Sequence, residues 1–151
     1  MTLADAVSTL YLLPPIVLGL AIGAYEAILI HRDVTVPTHR FGHSIHAVGL
    51  AIIACFITMN TQYVVNNVAF LQTLGFFGQP IVLQIIVGLF MVVKIHATSR
   101  AIQGSIGGAS VGLGETWAHS LIIGGLIVAA PYAWPLLAPV MPVWLGGTAT
   151  S

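Results

Sequence analysis

"PIVLGLAIGAYEAILIH", residues 15–31, and "PIVLQIIVGLFMVVKIH", residues 80–96, decide how this chain folds. Laid one over the other at a constant offset of 65, they agree at 7 of 17 positions. Apolar sequence produces Leu-on-Leu and Val-on-Val matches by chance. His31 over His96 is a different matter, because the 151 residues hold only six histidines. A second pair of stretches matches at an offset of 76, "HSIHAVGL" (43–50) over "HSLIIGGL" (119–126), and again sets one histidine on another, His43 over His119. The two matches read as a duplicated helical hairpin. The offset grows because the second half carries an insertion that includes the glycine-rich "QGSIGGASVGLGE" (103–115).

Composition says where such hairpins reside. Apolar residues make up 58% of the chain and charged residues 5%, against about 25% charged in a soluble domain. A water-facing surface cannot be built from that inventory, so the chain reads as an integral membrane protein whose first partner is the lipid bilayer. A helix rises about 1.5 Å per residue, and roughly 20 apolar residues cross the hydrocarbon layer. Four stretches are long enough: about 10–31, 40–63, 79–99 and 115–137. Their runs are continuous and do not alternate apolar with polar, which argues for helices and against a barrel.

The expected architecture is therefore all-α: a single transmembrane domain, a four-helix bundle of two parallel hairpins, about 10–63 and 79–137. The pseudo-two-fold axis runs along the membrane normal. Arg32 and Arg40 flank the first loop; Lys94 and Arg100 flank the third. The positive-inside rule then sets loops one and three in the cytoplasm and both termini on the other side. "MTLADAVSTLYLLPP" has no basic residue ahead of its apolar run, so the first span is expected to be permanent. Tyr132, Trp134, Trp144, Phe76 and Phe77 are expected to form an aromatic belt on the outer face.

The duplication also gathers chemistry. His31 and His96 end spans one and three, while His43 and His119 open spans two and four. All four are expected at the cytoplasmic end of one bundle. Pro37-Thr38 reads as the start of span two, which sets His39, His43 and His46 at i, i+4 and i+7 on one helix face. Glu115 and His119 share the same i, i+4 relation. Imidazole is the commonest protein ligand for transition metals.

Two ligand sets follow. In one, His31, His43, His96 and His119, with Glu115, hold a transition-metal ion. In the other, His43 and His119 are axial ligands of a b-type haem, Arg40 and Arg100 meet its propionates, and Gly42, Gly49, Gly124 and Gly125 leave room for the macrocycle. The chain has no C-x-x-C-H stretch for covalent haem attachment. Beside these stand two bland or alternative readings. Histidines at helix ends cap carbonyls and meet headgroups, and a ring of imidazoles at a channel mouth senses pH.

Glu26 and Lys94 lie inside apolar runs, and a Glu26–Lys94 pair across the pseudo-axis is one expectation; separate excursions to the interface are the other. Gly19 and Gly23 read as a helix-packing face and Gln84 as an interhelical hydrogen bond. Cys55, the only cysteine, reads as a small buried hydrophobe.

The functional expectation is a metal- or haem-binding redox or accessory membrane subunit. The alternatives are an oligomeric ion or proton channel, or a structural subunit of a larger membrane complex. Nucleic acid is excluded by a net charge of zero. Hydrolytic catalysis is not expected, since the chain has only four acidic residues and no recognisable Ser-His-Asp spacing.

Overall fold

The computed structural model describes residues 10–33, 37–105 and 117–148; the side chains of residues 30–33, 37–41, 43 and 98–105 lie outside that description. Among the described residues every regular element is helical. Four long helices form: α1 (Leu13–Asp33), α2 (Pro37–Met59), α5 (Pro80–Ser105) and α6 (Trp117–Leu137). Proline sits in the first turn of three of them, where its missing N–H is no loss. Two short helices, α3 (Thr61–Asn67) and α4 (Ala69–Thr73), followed by a 3₁₀ turn at Gly75–Gly78, join α2 to α5. Two further 3₁₀ turns, Ala138–Val140 and Val143–Leu145, follow α6.

Two helices are long and apolar enough to cross a membrane: Pro80–Ala97, with mean hydropathy 2.0, and Trp117–Val140, with 1.9. A third span results if α2 and α3 are counted together, although they meet at 82°. Leu13–Leu29 is a shorter apolar helix by the same measure.

The second span was expected to run on to residue 63; α2 stops at Met59. The reason is Asn60, which leaves the helical region (φ −122°, ψ 31°). Its side chain accepts from the Tyr11 N–H at 2.7 Å and donates to the carbonyls of Tyr11 and Phe56, both at 2.9 Å. An asparagine side chain competes with the backbone ladder in this way, and the chain turns where it wins. The connection after it, expected to be a loop, is helical as well.

Glycines set how closely the helices approach. A Cβ on Gly19 would lie 2.4 Å from Ile52 Cα, and one on Gly23 would lie 2.6 Å from Val48 Cα. Rising numbers on α1 meet falling numbers on α2, so the pair is antiparallel. On the other side, Gly88 meets Gly124 and Val128, and Gly124 meets Val92, which makes α5 and α6 antiparallel too. Between the pairs, α2 packs on α6 and α5, and α1 packs on α6. The buried core runs along these seams through Ile22, Ala51, Cys55, Met91, Ile123 and Ile127. Close backbone approach supplies dispersion contacts, which is what holds helices together where lipid competes for apolar surface.

Gln84, buried near the start of α5, donates to the Val128 carbonyl at 2.6 Å, an interhelical bond as expected. Val128 lies one residue past Ile127, whose carbonyl loses its helical donor to Pro131. Trp134 is buried rather than part of a belt, whereas Tyr132, Trp144, Phe76 and Phe77 are exposed.

Candidate functional site

α1 delivers Glu26 to the interior, and α6 brings His119 to meet it. Glu26 is only 7% exposed, and its Oε2 lies 2.7 Å from His119 Nε2. That separation is short for N···O and belongs to the range of charge-assisted bonds. The Tyr25 ring stands beside the imidazole, 6.1 Å between centroids and tilted by 52°. Ser120, next to His119, is fully buried.

A second histidine lies at the same end of α6. The His96 ring of α5 stacks on Trp117, centroids 3.8 Å apart and planes within 16°. Both ring nitrogens of His96 are buried and have no hydrogen-bond partner among the described residues. A neutral imidazole carries one donor and one acceptor, and an unsatisfied buried polar atom costs about 1–3 kcal/mol. Ser44 Oγ on α2 is likewise buried without a partner among the described residues. The Gly19–Ile52 and Gly23–Val48 register, continued by one turn, sets Ser44 across from Ala27, next to Glu26.

The expectation for Glu26 is corrected in its partner. α1 packs on α2 and α6, and the buried carboxylate meets His119 of α6. Lys94 is partly buried on α5. The sequence signal that could have found this contact is topological: adjacent hairpins put helix one against helix four as readily as helix three. Trp117 was also missed, since a tryptophan at a helix start reads first as an interface anchor.

The other candidates divide. His46 is exposed on α2, away from the Glu26–His119 contact. His31, His39, His43, Arg40 and Arg100 lie on described backbone, but their side chains fall outside the described part, as does all of Glu115. Among the described residues no group of three or more His, Cys, Asp or Glu side chains assembles as a metal-binding set. Gly124 leaves no room for a macrocycle, because Val92 and Gly88 occupy that space; Gly42, Gly49 and Gly125 do open onto empty space.

Compared with protein-family models, with curated proteins and with solved structures, the chain matches none.

Proposed function

We propose that this chain is the pH-sensing subunit of an oligomeric membrane channel, with the Glu26–His119 pair as its proton-binding group. The observation that carries the proposal is the buried 2.7 Å contact itself. Ionisable side chains are expensive inside a bilayer and mark functional positions there. An imidazole and a carboxylate at this distance share a hydrogen-bonded proton.

The bilayer frame of this proposal is a four-span bundle of two hairpins. The apolar part of α1, Leu13–Leu29, falls at the short end of the roughly 17–25 residues that a spanning helix uses, and the proposal takes it as the remaining span. Helix registers support the duplication. Carried through the offsets of 65 and 76, the Gly19–Ile52 contact falls on Gln84 and Val128, which are joined by a hydrogen bond. The Gly23–Val48 contact falls on Gly88 and Gly124, which also touch. The contacts α1–α6 and α2–α5, which the duplication would exchange, both occur.

The same offset carries Glu26 onto Met91, a core residue only 4% exposed. One half thus fills this slot with the apolar side chain that packing calls for, and the other half fills it with a carboxylate. Stability alone does not ask for that exchange, which favours a functional reason for Glu26. In this frame the Gly23 and Gly88 contacts lie near the bilayer midplane. Glu26 is then about 4.5 Å from it, three residues along α1.

His46 supports an assembly. It is exposed two residues from Val48 on α2, hence about 3 Å from that plane, too deep to snorkel. An imidazole there faces a water-filled path or a neighbouring chain more readily than acyl tails. Within one chain the outer half is closely packed around Gly19, Ile52 and Gln84, so the conducting route runs between chains. Histidine-bearing loops face the cytoplasm in this arrangement.

A second reading is favoured by one observation. The two unpartnered ring nitrogens of His96 suit a transition-metal ligand, with the undescribed His31, His43 and Glu115 completing the set or His43 and His119 holding haem.

The test is flux through liposomes holding the purified chain, together with metal analysis and a visible spectrum. Flux is expected to change at least about tenfold between pH 5 and 8, the range over which an imidazole changes charge. Glu26→Gln is expected to make it pH-independent. Flux that ignores pH in the wild type contradicts the channel reading. A Soret band or stoichiometric metal points to the second one.

A further inference from the structure

The stretch between the two halves has features that a plain connector does not need. No Asp, Glu, Lys or Arg occurs between Arg40 and Lys94. The helix Thr61–Asn67 leaves α2 at 82°, so if α2 stands across the bilayer, α3 lies along its surface. Beyond it Phe70, Phe76 and Phe77 are 67%, 65% and 60% exposed. Gly75, at φ 57°, makes the turn that presents Phe76 and Phe77 as an edge-to-face pair 5.6 Å apart.

Several polar side chains here are bonded within the segment. Gln62 Nε2 donates to Asn66 Oδ1 at 2.9 Å, and Gln72 Nε2 donates to the Asn66 carbonyl at 2.8 Å. Asn67 Nδ2 donates to the Tyr63 carbonyl, and Thr73 Oγ1 to that of Phe70. Even at the breaks the backbone N–H groups of Val68, Leu71, Leu74, Phe77 and Gln79 find carbonyl acceptors. A segment in water has no need of such thorough internal pairing, whereas one at the edge of hydrocarbon does.

We infer that residues 61–78 form an in-plane membrane anchor, with Phe70, Phe76 and Phe77 seated at the headgroup–acyl boundary of the bilayer the bundle crosses. The turn that carries Phe76 and Phe77 packs on α5, one of the two helices long and apolar enough to cross. The inference rests on the proposal that α2 is a span. Electrostatic attraction plays no part, because the segment has no charge; the attachment is aromatic and apolar.

Nitroxide depth measurement in phosphatidylcholine vesicles tests it. In a Cys55→Ala background, labels are attached singly at Phe70→Cys, Phe76→Cys and Phe77→Cys, with Gln62→Cys and Phe90→Cys as references. Phe90 is exposed in the middle of α5. All three labelled phenylalanine side chains are exposed, so their loss leaves the core intact. Oxygen and an aqueous nickel chelate are expected to place the labels at 70, 76 and 77 about 5–10 Å below the headgroups. The label at 90 is expected deeper, and the one at 62 nearer water.

Three results at 70, 76 and 77 would overturn the inference while the label at 90 stays deep. Free access for the nickel chelate means the segment stands in water. Protection from both reagents means another protein chain covers it. A depth equal to that at 90 means it re-enters the bilayer. A water-exposed label at 90 removes the spanning frame itself, and the anchor falls with it.

Discussion

His119→Ala is expected to destabilise the folded chain by about 3–5 kcal/mol, because it leaves the Glu26 carboxylate buried and without its imidazole. Glu26→Met should do less harm. It replaces the carboxylate by an apolar side chain of similar length, so that what is lost is its bond to the His119 ring nitrogen, at about 1–3 kcal/mol. Glu26→Met with His119→Leu should return to within about 1 kcal/mol of the wild type or exceed it, since apolar replacement of a buried pair is often neutral or stabilising. Reversible unfolding in bicelles of the four proteins closes the cycle. Additivity within about 0.5 kcal/mol would mean that the two groups do not interact. A stable but pH-blind double variant would separate what the pair does for function from what it does for folding.

Gly23→Leu and Gly88→Leu are expected to be the other severe changes, each costing about 3 kcal/mol through overpacking. A bare Cβ on Gly23 already meets Val48 Cα at 2.6 Å, and one on Gly88 meets Val128 Cγ2 at 2.3 Å. The first obstacle is backbone, which cannot turn aside; the second is a side-chain methyl with some freedom. Gly23→Ala should therefore be worse than Gly88→Ala, while Gly49→Ala, with nothing within 4 Å, should stay within about 0.5 kcal/mol. The same bicelle assay ranks them. Equal, small effects at all three positions would mean the helices do not approach as described.

Helices and their seams were legible because apolar runs and small residues at turn-spaced positions are local signals. Gly19 and Gly23 lie against the α2 backbone, Gln84 bonds across to α6, and Cys55 is buried in the core, each as its sequence setting implied. Asn60 was not legible. In an apolar run an asparagine looks like one more helical residue, and what ends the helix is its bond to Tyr11, 49 positions away. Trp134 misled for a related reason: a tryptophan near a membrane end favours the interface in general, but here α6 turns it inward.

The site was half legible. Scarce histidines were expected to gather at one end of the bundle; among the described residues His119 opens α6 and meets Glu26, while the ring of His96, on α5, stacks on Trp117. What each of them touches depends on which helices are neighbours, and the repeat alone left that open. Glu26 was noticed as an anomaly, yet pairing it by charge sign pointed to Lys94. The helix arrangement makes its partner an imidazole.

Glu26 and Glu115 are the only glutamates in the chain, which makes one measurement unusually direct. With ¹³C-glutamate incorporated and Glu115→Gln in place, every isotope-shifted carboxyl band in an infrared spectrum belongs to Glu26. The spectrum is recorded in lipid as pH is stepped between about 8 and 5, the range in which imidazole changes charge. The expected result is a Glu26 band that changes across this range, whether the proton comes to rest on the carboxyl or on the ring 2.7 Å away, and that loses this response in His119→Ala. A Glu26 band that stays constant at every pH, or responds identically without His119, would contradict a proton-binding pair.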